Sequence, residues 1–478
     1  MKTYSREQFV KDVTAGIIVA IIALPLSIAL ALASGVGPEA GIFTAIVAGF
    51  VISALGGSSV QIAGPTAAFA TIVAGIVAKN GLDGLVIATI LAGIFLILMG
   101  LCHFGTLIRF IPYTITTGFT AGIAVTIVIG QLKDFFGVTY PDGVKPIETM
   151  EKLHAFVENC GTVNLSAVIV GVVSLAILII SPYIFKKIPG SLLAVVAGIL
   201  MVKFLPLKAS TIGDLYSISN ALPGFHLPAL SLAAVEDAIP NAFTIAVLAA
   251  IESLLSCVVA DGMINGKHRS DMELVAQGAG NIASALFGGI PATGAIARTA
   301  ANIKNGGRTP IAGMVHAITL VLVLVVLMPY AGMIPMPTIA AILFVVAYNM
   351  CQWRPFTHLI QTAPKSDILV LLVTFFLTVV FDLVVAIEIG MLLTCLLFMK
   401  RMSDETHVDS WTYVDDDSDA VNDHMQKLAK EIRVYEITGP LFFGAANAIE
   451  HIVVKDFTKC LVLRMRSVPA LDSTAMNA

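Results

Sequence analysis

The feature that most constrains this chain is a recurrence of apolar stretches, from near the amino terminus to about Arg401, each close to the length a helix needs to cross hydrocarbon. About fourteen can be counted at the roughly 20-residue spanning length, two of them short and interrupted. Of the 478 residues, 57% are hydrophobic and 13% charged, against the roughly 25% charged of soluble domains. A lipid interior offers no partner to backbone N–H and C=O groups, and the segments are too long and too uniformly apolar for barrel strands. An all-α polytopic membrane protein follows.

Two stretches break the apolar pattern at comparable places in the two halves: Gly56-Gly57-Ser58-Ser59-Val60-Gln61-Ile62-Ala63-Gly64-Pro65-Thr66-Ala67-Ala68-Phe69 and Gly288-Gly289-Ile290-Pro291-Ala292-Thr293-Gly294-Ala295-Ile296-Ala297-Arg298. Each gives way to a short helical stretch, so that a helix starts inside the membrane instead of at its surface. From Gly56 to Gly288 is 232 residues, and the same shift lays the first span on the one around residues 239–259. Paired interruptions of this kind point to a transporter site between inverted repeats. The predicted architecture has two inverted seven-helix repeats, about residues 12–205 and 238–401, within a transport domain of residues 1–402.

The placement of basic residues sets the orientation. Beginning with Lys2, Arg6 and Lys11, alternate loops carry Arg109, then Lys186 and Lys187, then Lys267 and Arg269, then Lys304 and Arg308, then Arg354 and Lys365, then Lys400 and Arg401. The intervening loops are acidic or mixed, as with Asp142, Glu148, Asp214, Glu236 and Asp237. The alternation works only if each interrupted segment is one crossing and both termini are cytoplasmic. The first apolar run is longer than a signal-peptide core and is read as a retained span. Cys102, Cys160, Cys257, Cys351, Cys395 and Cys460 are scattered without the spacing of a metal site or a disulfide framework. Neither a cofactor nor a metal is expected, and neither catalytic residues nor a nucleic-acid partner.

After Arg401 the composition turns polar. Residues 403–430, with the acidic run Asp415-Asp416-Asp417-Ser418-Asp419, are read as a linker, and 431–478 as the opening of a soluble α/β unit. Within it Arg433–Ile437 and Cys460–Met465 suit strands and Phe442–Val454 a helix. So short a tail closes no core unaided, so a domain longer than the sequence given is expected.

A helix beginning in the membrane leaves its first N–H groups without intrahelical partners, and with the dipole they form a positive end suited to an anion. On the first side Pro65 is expected in the first helical turn, with Thr66 adding a hydroxyl near the N–H groups of Ala67 and Ala68. On the second, Thr293 or Gly294 is expected to cap a helix presenting the backbone of Ala295, Ile296 and Ala297. Arg298 follows by one turn, its cation either near the anion or paired with Glu252, or drawn to the cytoplasmic surface. Glu252 lies mid-span, where a carboxylate costs several kcal/mol unless neutralised, paired or hydrated. It is a functional candidate by default. His103, His316 and His358 are isolated and are given no role.

At Leu24-Pro25-Leu26-Ser27, Gly64-Pro65-Thr66-Ala67, Glu252-Ser253-Leu254-Leu255, Arg298-Thr299-Ala300-Ala301-Asn302 and Val468-Pro469-Ala470-Leu471-Asp472-Ser473 the chain resembles the sulfate permease family, also called solute carrier family 26. The resemblance spans nearly the whole chain and is strongest to a bacterial branch that includes a dicarboxylate transporter. It implies two inverted seven-helix repeats divided into core and gate. A cytoplasmic sulfate-transporter and anti-sigma-factor-antagonist (STAS) domain would follow, of which residues 431–478 are the amino-terminal part. It further implies secondary anion transport, usually by a homodimer. By resemblance Arg298 is a pocket arginine, and Glu252 with Ser256 occupies positions where a relative holds sodium. Two oxygens fall short of a sodium shell, so the proton is favoured as the coupling ion. Leu26 and Leu30 stand where animal relatives carry polar or aromatic pocket residues, an apolar wall suited to a carboxylate with a hydrocarbon body. Ser473 and Thr474 resemble a phosphorylatable loop able to dock a cytoplasmic partner, with a helix cap at Ser473 as the plainer reading.

The expected protein is a secondary active anion transporter of the bacterial inner membrane. It would couple to protons and carry a succinate- or fumarate-like dicarboxylate, or sulfate, by alternating access. A sodium-coupled bicarbonate or sulfate carrier is the first alternative. A membrane-anchored signalling module acting through the STAS domain is the second.

Overall fold

The computed structural model describes residues 4–106, 112–141, 146–184, 189–205, 207–216, 218–219, 221–228, 231–381, 383–411, 432–445, 449, 452, 454 and 458–478. In chain order the first elements are α1 (Arg6–Ala33), α2 (Pro38–Leu55), β1 (Ala63–Gly64), α3 (Ala67–Leu101), α4 (Tyr113–Phe136), α5 (Thr149–Glu158), α6 (Leu165–Ile184), α7 (Gly190–Phe204) and α8 (Ile212–Leu215). They continue with α9 (Leu232–Ile264), α10 (Ser270–Leu286), β2 (Thr293–Gly294), α11 (Ile296–Lys304), α12 (Pro310–Ala331), α13 (Met336–Cys351), α14 (Trp353–Thr362), α15 (Lys365–Val380) and α16 (Leu383–Asp404). The tail adds β3 (His407–Trp411), β4 (Ile432–Thr438), β5 (Cys460–Ser467) and α17 (Ser473–Asn477).

Among the described residues eight helices are long and apolar enough to cross a membrane. The difference from about fourteen segments has a physical origin. The apolar helix α7 has only 15 residues, and α3 joins two segments in 35 residues across a break at Gly81. There φ is 71°, in the left-handed region that glycine reaches without steric cost. A short helix from Ala67 thus runs into a full span.

Two groups of helices are evident from packing. In one, α10 lies against α2, α3 and α9, and α1 against α2, α11 and α12; in the other, α13 packs on α4 and α6, and α6 on α7. The crossing of α3 and α10 is close because a Cβ on Gly93 would meet the carbonyl of Gly278, and one on Gly278 the carbonyl of Gly93. Small residues let helix backbones approach where hydrocarbon solvent supplies no hydrophobic driving force. At the start of α1 the buried Asp12 accepts from Tyr4, Gln8, the backbone N–H groups of Arg308 and Thr309, and the Thr309 hydroxyl. It holds the backbone that leads into α12, where Thr309 forms no side-chain cap.

By contacts the chain divides into two units, Met1–Pro364 with Leu371–Ile387, and Lys365–Val370 with Glu388–Ala478. In the second unit β4 pairs antiparallel with β3 and parallel with β5. The stretch read as a linker therefore opens with structure: α16 runs to Asp404 and His407–Trp411 form β3. Charged and polar neighbours mask its alternation in the sequence. Both expected tail strands are present as β4 and β5. Of the expected helix 442–454, Phe442–Ala445 form a bend and turns instead, and six of the thirteen residues lie outside the described residues, as do Arg109, Asp142, Lys186, Lys187 and the acidic run 415–419. The last short helix is capped by Asp472, whose carboxylate accepts from the Ala475 N–H at 2.8 Å. This corrects the cap expected at Ser473, since a carboxylate one residue earlier reaches the same donor and favours the positive helix end. Ser473 and Thr474 are exposed in its first turn.

Candidate functional site

The two interruptions lie side by side: β1 and β2 pair antiparallel, Ala63 opposite Gly294 and Gly64 opposite Thr293. Neither could continue as helix, because Pro65 and Pro291 lack an N–H and Gly288 sits at φ 74°. Extended backbone at membrane depth must find other partners, and here side chains of neighbouring helices supply them. For the first interruption, the N–H groups of Gly57 and Ser58 donate to Glu273 at 2.8 and 3.1 Å. The Val60 carbonyl accepts from Asn302, the Ile62 N–H donates to the Thr299 hydroxyl, and the Ile62 carbonyl accepts from the Ala295 N–H. For the second, Thr44 and Ser284 bind Ile290, Asn281 binds both the N–H and the carbonyl of Ala292, and the Gly294 N–H donates to Ser253.

Both helices that leave this strand pair start without a side-chain cap. Thr66, with extended φ and ψ of −125° and 159°, is the N-cap residue of α3, so Pro65 precedes the helix instead of lying in its first turn. The Thr66 hydroxyl donates to Glu252 Oε2 at 2.9 Å and so does not cap its own helix. The residue before α11 is Ala295, which has no capping atom. This corrects the cap expected at Thr293 or Gly294. Those two are drawn into β2, and the Thr293 hydroxyl is engaged by Ser253 and by the Ala249 carbonyl. The leading N–H groups of both helices, on Ala67 and Ala68 and on Ile296 and Ala297, thus lack intrahelical acceptors. Ala67 and Ala68 are buried, Ile296 and Ala297 exposed, and Thr66 and Glu252 half-buried.

Arg298 is 1% exposed. Its Nη2 donates to Ser27 Oγ at 3.3 Å and to the Pro65 carbonyl at 3.2 Å, while Nε and Nη1 have no partner. Among the described residues no carboxylate pairs with it. The guanidinium neither reaches the surface nor meets Glu252; it stays at the strand pair because Gly64 leaves room, a Cβ there meeting Nη1. His316 of α12 is likewise fully buried, and both its ring nitrogens lack partners.

Glu252 and Ser256 lie one turn apart on α9 but face different partners: the Ser256 hydroxyl is buried and donates to Thr299 Oγ1 at 3.4 Å. In α1, Leu26 is half-buried and Leu30 buried, flanking Ser27. Among the described residues no group of three or more His, Cys, Asp or Glu side chains could hold a metal. Reading the sequence missed Ser27, Gln61, Ser253, Glu273, Gln277, Asn281 and Thr299. A signal for part of this set was present: Glu273, Gln277, Asn281 and Ser284 are polar residues at helical spacing inside a membrane helix.

The chain is similar to known transport proteins. The sulfate permease family model matches residues 9–374. A putative sulfate transporter of Bacillus subtilis, YvdB, is 41% identical over 487 residues, covering 99% of this chain and 88% of the relative. The solved transmembrane domain of a cyanobacterial bicarbonate transporter, BicA, superposes with a TM-score of 0.72 at 30% identity, covering 80% of this chain and 98% of that one. The structure of the murine anion transporter Solute Carrier 26 family member A9 in the inward-facing state shares the fold. Its TM-score is 0.88 at 17% identity, over 100% of this chain and 83% of that one. This chain belongs to the sulfate permease family, as a multi-pass membrane transporter and not an enzyme.

Proposed function

We propose that the protein is a secondary active anion transporter in which one anion binds between the uncapped starts of α3 and α11. The observation that carries this reading is Arg298: a fully buried cation with two unpartnered nitrogens and, among the described residues, no paired carboxylate, beside two uncapped helix starts. An unpaired buried charge is costly, and a bound anion would both neutralise it and satisfy the N–H groups. Relatives described as sulfate and bicarbonate transporters support an anionic substrate. The substrates favoured are a succinate- or fumarate-like dicarboxylate and sulfate. Leu26, Leu30 and Ile296 give the dicarboxylate's hydrocarbon body an apolar lining.

Proton coupling is assigned to Glu252. Among the described residues its one hydrogen-bond donor is a hydroxyl and no cation is paired with it, so taking up a proton is the way it crosses the membrane without charge. Ser256, turned to Thr299, leaves too few oxygens around Glu252 for sodium. The group α1, α2, α3, α9, α10, α11 and α12 acts as the moving core against α4, α6, α7 and α13. Fourteen segments in two inverted repeats, cytoplasmic termini, an inner-membrane location and a homodimer complete the proposal. The tail is the start of a STAS domain that engages a cytoplasmic partner, with Ser473 or Thr474 as a phosphorylation site.

A second reading, sodium-coupled bicarbonate or sulfate transport, is favoured by the bicarbonate transporters among the relatives. Uptake into proteoliposomes, with unlabelled succinate, sulfate and bicarbonate competing against whichever labelled anion is transported, separates the two. Succinate or sulfate is expected to compete at least roughly tenfold better than bicarbonate, a difference of about 1.4 kcal/mol, and replacing sodium by potassium to change nothing. Preference for bicarbonate together with a sodium requirement would overturn the proton-coupled reading.

A further inference from the structure

One face of α10 carries a polar stripe, Glu273, Gln277, Asn281 and Ser284, each 0% exposed. The spacing of four, four and three residues keeps them on one helical face. Their side chains bind either an interruption or the next member of the stripe. Glu273 Oε2 accepts from the Gly57 and Ser58 N–H groups, and its Oε1 from Gln61 Nε2 at 2.8 Å and Gln277 Nε2 at 2.9 Å. Four N–H donors saturate both oxygens, which requires a group that only accepts. Two turns on, Asn281 exchanges a reciprocal pair of hydrogen bonds with Ala292 at 2.8 and 2.9 Å and donates back to the Gln277 carbonyl. Ser284 donates to the Ile290 carbonyl. The first interruption is therefore fastened to the amino-terminal half of α10 and the second to its carboxy-terminal half.

We propose that this stripe is a registration rail: a rigid helix that fixes the separation of the two helix starts. Glu273 is the positioning residue for the start of α3 and Asn281 for that of α11, and neither touches the anion. The rail rests on the reading that the anion lies between those starts, since only then does their separation set affinity. It extends to the coupling helix through Gln61, whose Nε2 also reaches the Ser253 carbonyl at 3.4 Å and whose Oε1 accepts from the Cys257 thiol. Ser253 adjoins Glu252.

Replacing Glu273 by Gln sets one amide N–H₂ against those of Gln61 and Gln277. Relief needs the Gln61 amide to flip, which breaks its link to α9. The converse change, Gln61→Glu, sets two carboxylates face to face. Combined, the two exchange roles: the amide oxygen at position 273 accepts from Gly57 and Ser58, and its N–H₂ donates to the carboxylate at position 61 and to Gln277, whose unpartnered Oε1 turns inward. The carboxylate keeps the Cys257 thiol as donor while giving up the long contact to Ser253. The test uses the full chain in proteoliposomes, with labelled succinate, sulfate or bicarbonate as the wild type takes it up, and reads KM, Vmax and the melting temperature of the purified protein. Glu273→Gln is expected to raise KM at least roughly tenfold with Vmax within about twofold, and the double exchange to return KM to within about threefold. Asn281→Leu should raise KM likewise. A wild-type KM for Glu273→Gln, or a double variant no better than its parents, would overturn the rail. If Glu273→Gln does not fold, the double variant decides: folded with near wild-type KM supports the rail, and unfolded overturns it. Arg298→Ala distinguishes the two levels. If it raises KM while Glu273→Gln does not, the rail alone fails; if its KM is unchanged, the site reading fails and takes the rail with it.

Discussion

Replacing Glu252 by Gln is expected to abolish anion accumulation driven by a pH gradient while leaving anion exchange within roughly fivefold of wild type. The amide matches the carboxyl in shape and its oxygen can still accept from Thr66, so the 2.9 Å contact at the first helix start survives. What it loses is the ability to carry a proton. The contrast with Glu273 supports the proposed coupling role of Glu252. Glu273 is fully buried, yet four N–H donors and the rigid backbone of residues 57 and 58 compensate its charge. Glu252 has one hydroxyl donor and is half-buried at the site. A carboxylate so weakly compensated in a membrane helix crosses at low cost only when protonated. It would load a proton from the acidic side together with the anion and release it on the alkaline side. Undiminished uphill uptake by the Gln variant would remove Glu252 from coupling.

Arg298→Ala is expected to weaken anion binding by about 1.5–3 kcal/mol, roughly ten- to hundredfold, the range of a charge-assisted hydrogen bond. The direction of the stability change sharpens the prediction. Removing an unpaired buried cation relieves a desolvation cost, so the melting temperature without anion should hold or rise while the stabilisation by added anion is lost. Lysine should not rescue affinity. Its single ammonium cannot reproduce the fork that reaches Ser27 and Pro65 from one nitrogen and keeps two more free. Equilibrium binding of labelled sulfate or succinate to the purified protein, with its thermal shift, checks both parts. Wild-type affinity in the Ala variant would make Arg298 a packing residue.

Some of this site was legible in the sequence. Glycine, proline and small hydroxyl residues at matching places mark the interruptions, because each blocks a helix for a local reason. A carboxylate and an arginine in apolar spans are conspicuous because such residues are costly there. What stayed hidden depends on tertiary pairing. The interruption at 56–66 is satisfied by Glu273, Thr299 and Asn302, more than 200 residues away, and local sequence carries no trace of such partners. The cap expected at Thr293 failed for the same reason: its hydroxyl is claimed by Ser253 and the Ala249 carbonyl, as that of Thr66 is by Glu252. The stripe on α10 is visible as a helical period of polar residues, but its partners are not, and without them it reads as an ordinary polar helix face. In the tail, β3 escaped because charge and hydroxyl residues interrupt its alternation, and β4 orders it across a long sequence gap.

The central claim, that one anion lies between the starts of α3 and α11, is tested most directly by locating a heavy substrate analogue. Crystals grown with saturating selenate should show one anomalous peak within hydrogen-bond distance, about 3 Å, of the N–H groups of Ala67 or Ala68 and of Ile296 or Ala297. The peak should disappear in Arg298→Ala. Selenate bound elsewhere in the membrane domain, with nothing between the two helix starts, would contradict the account.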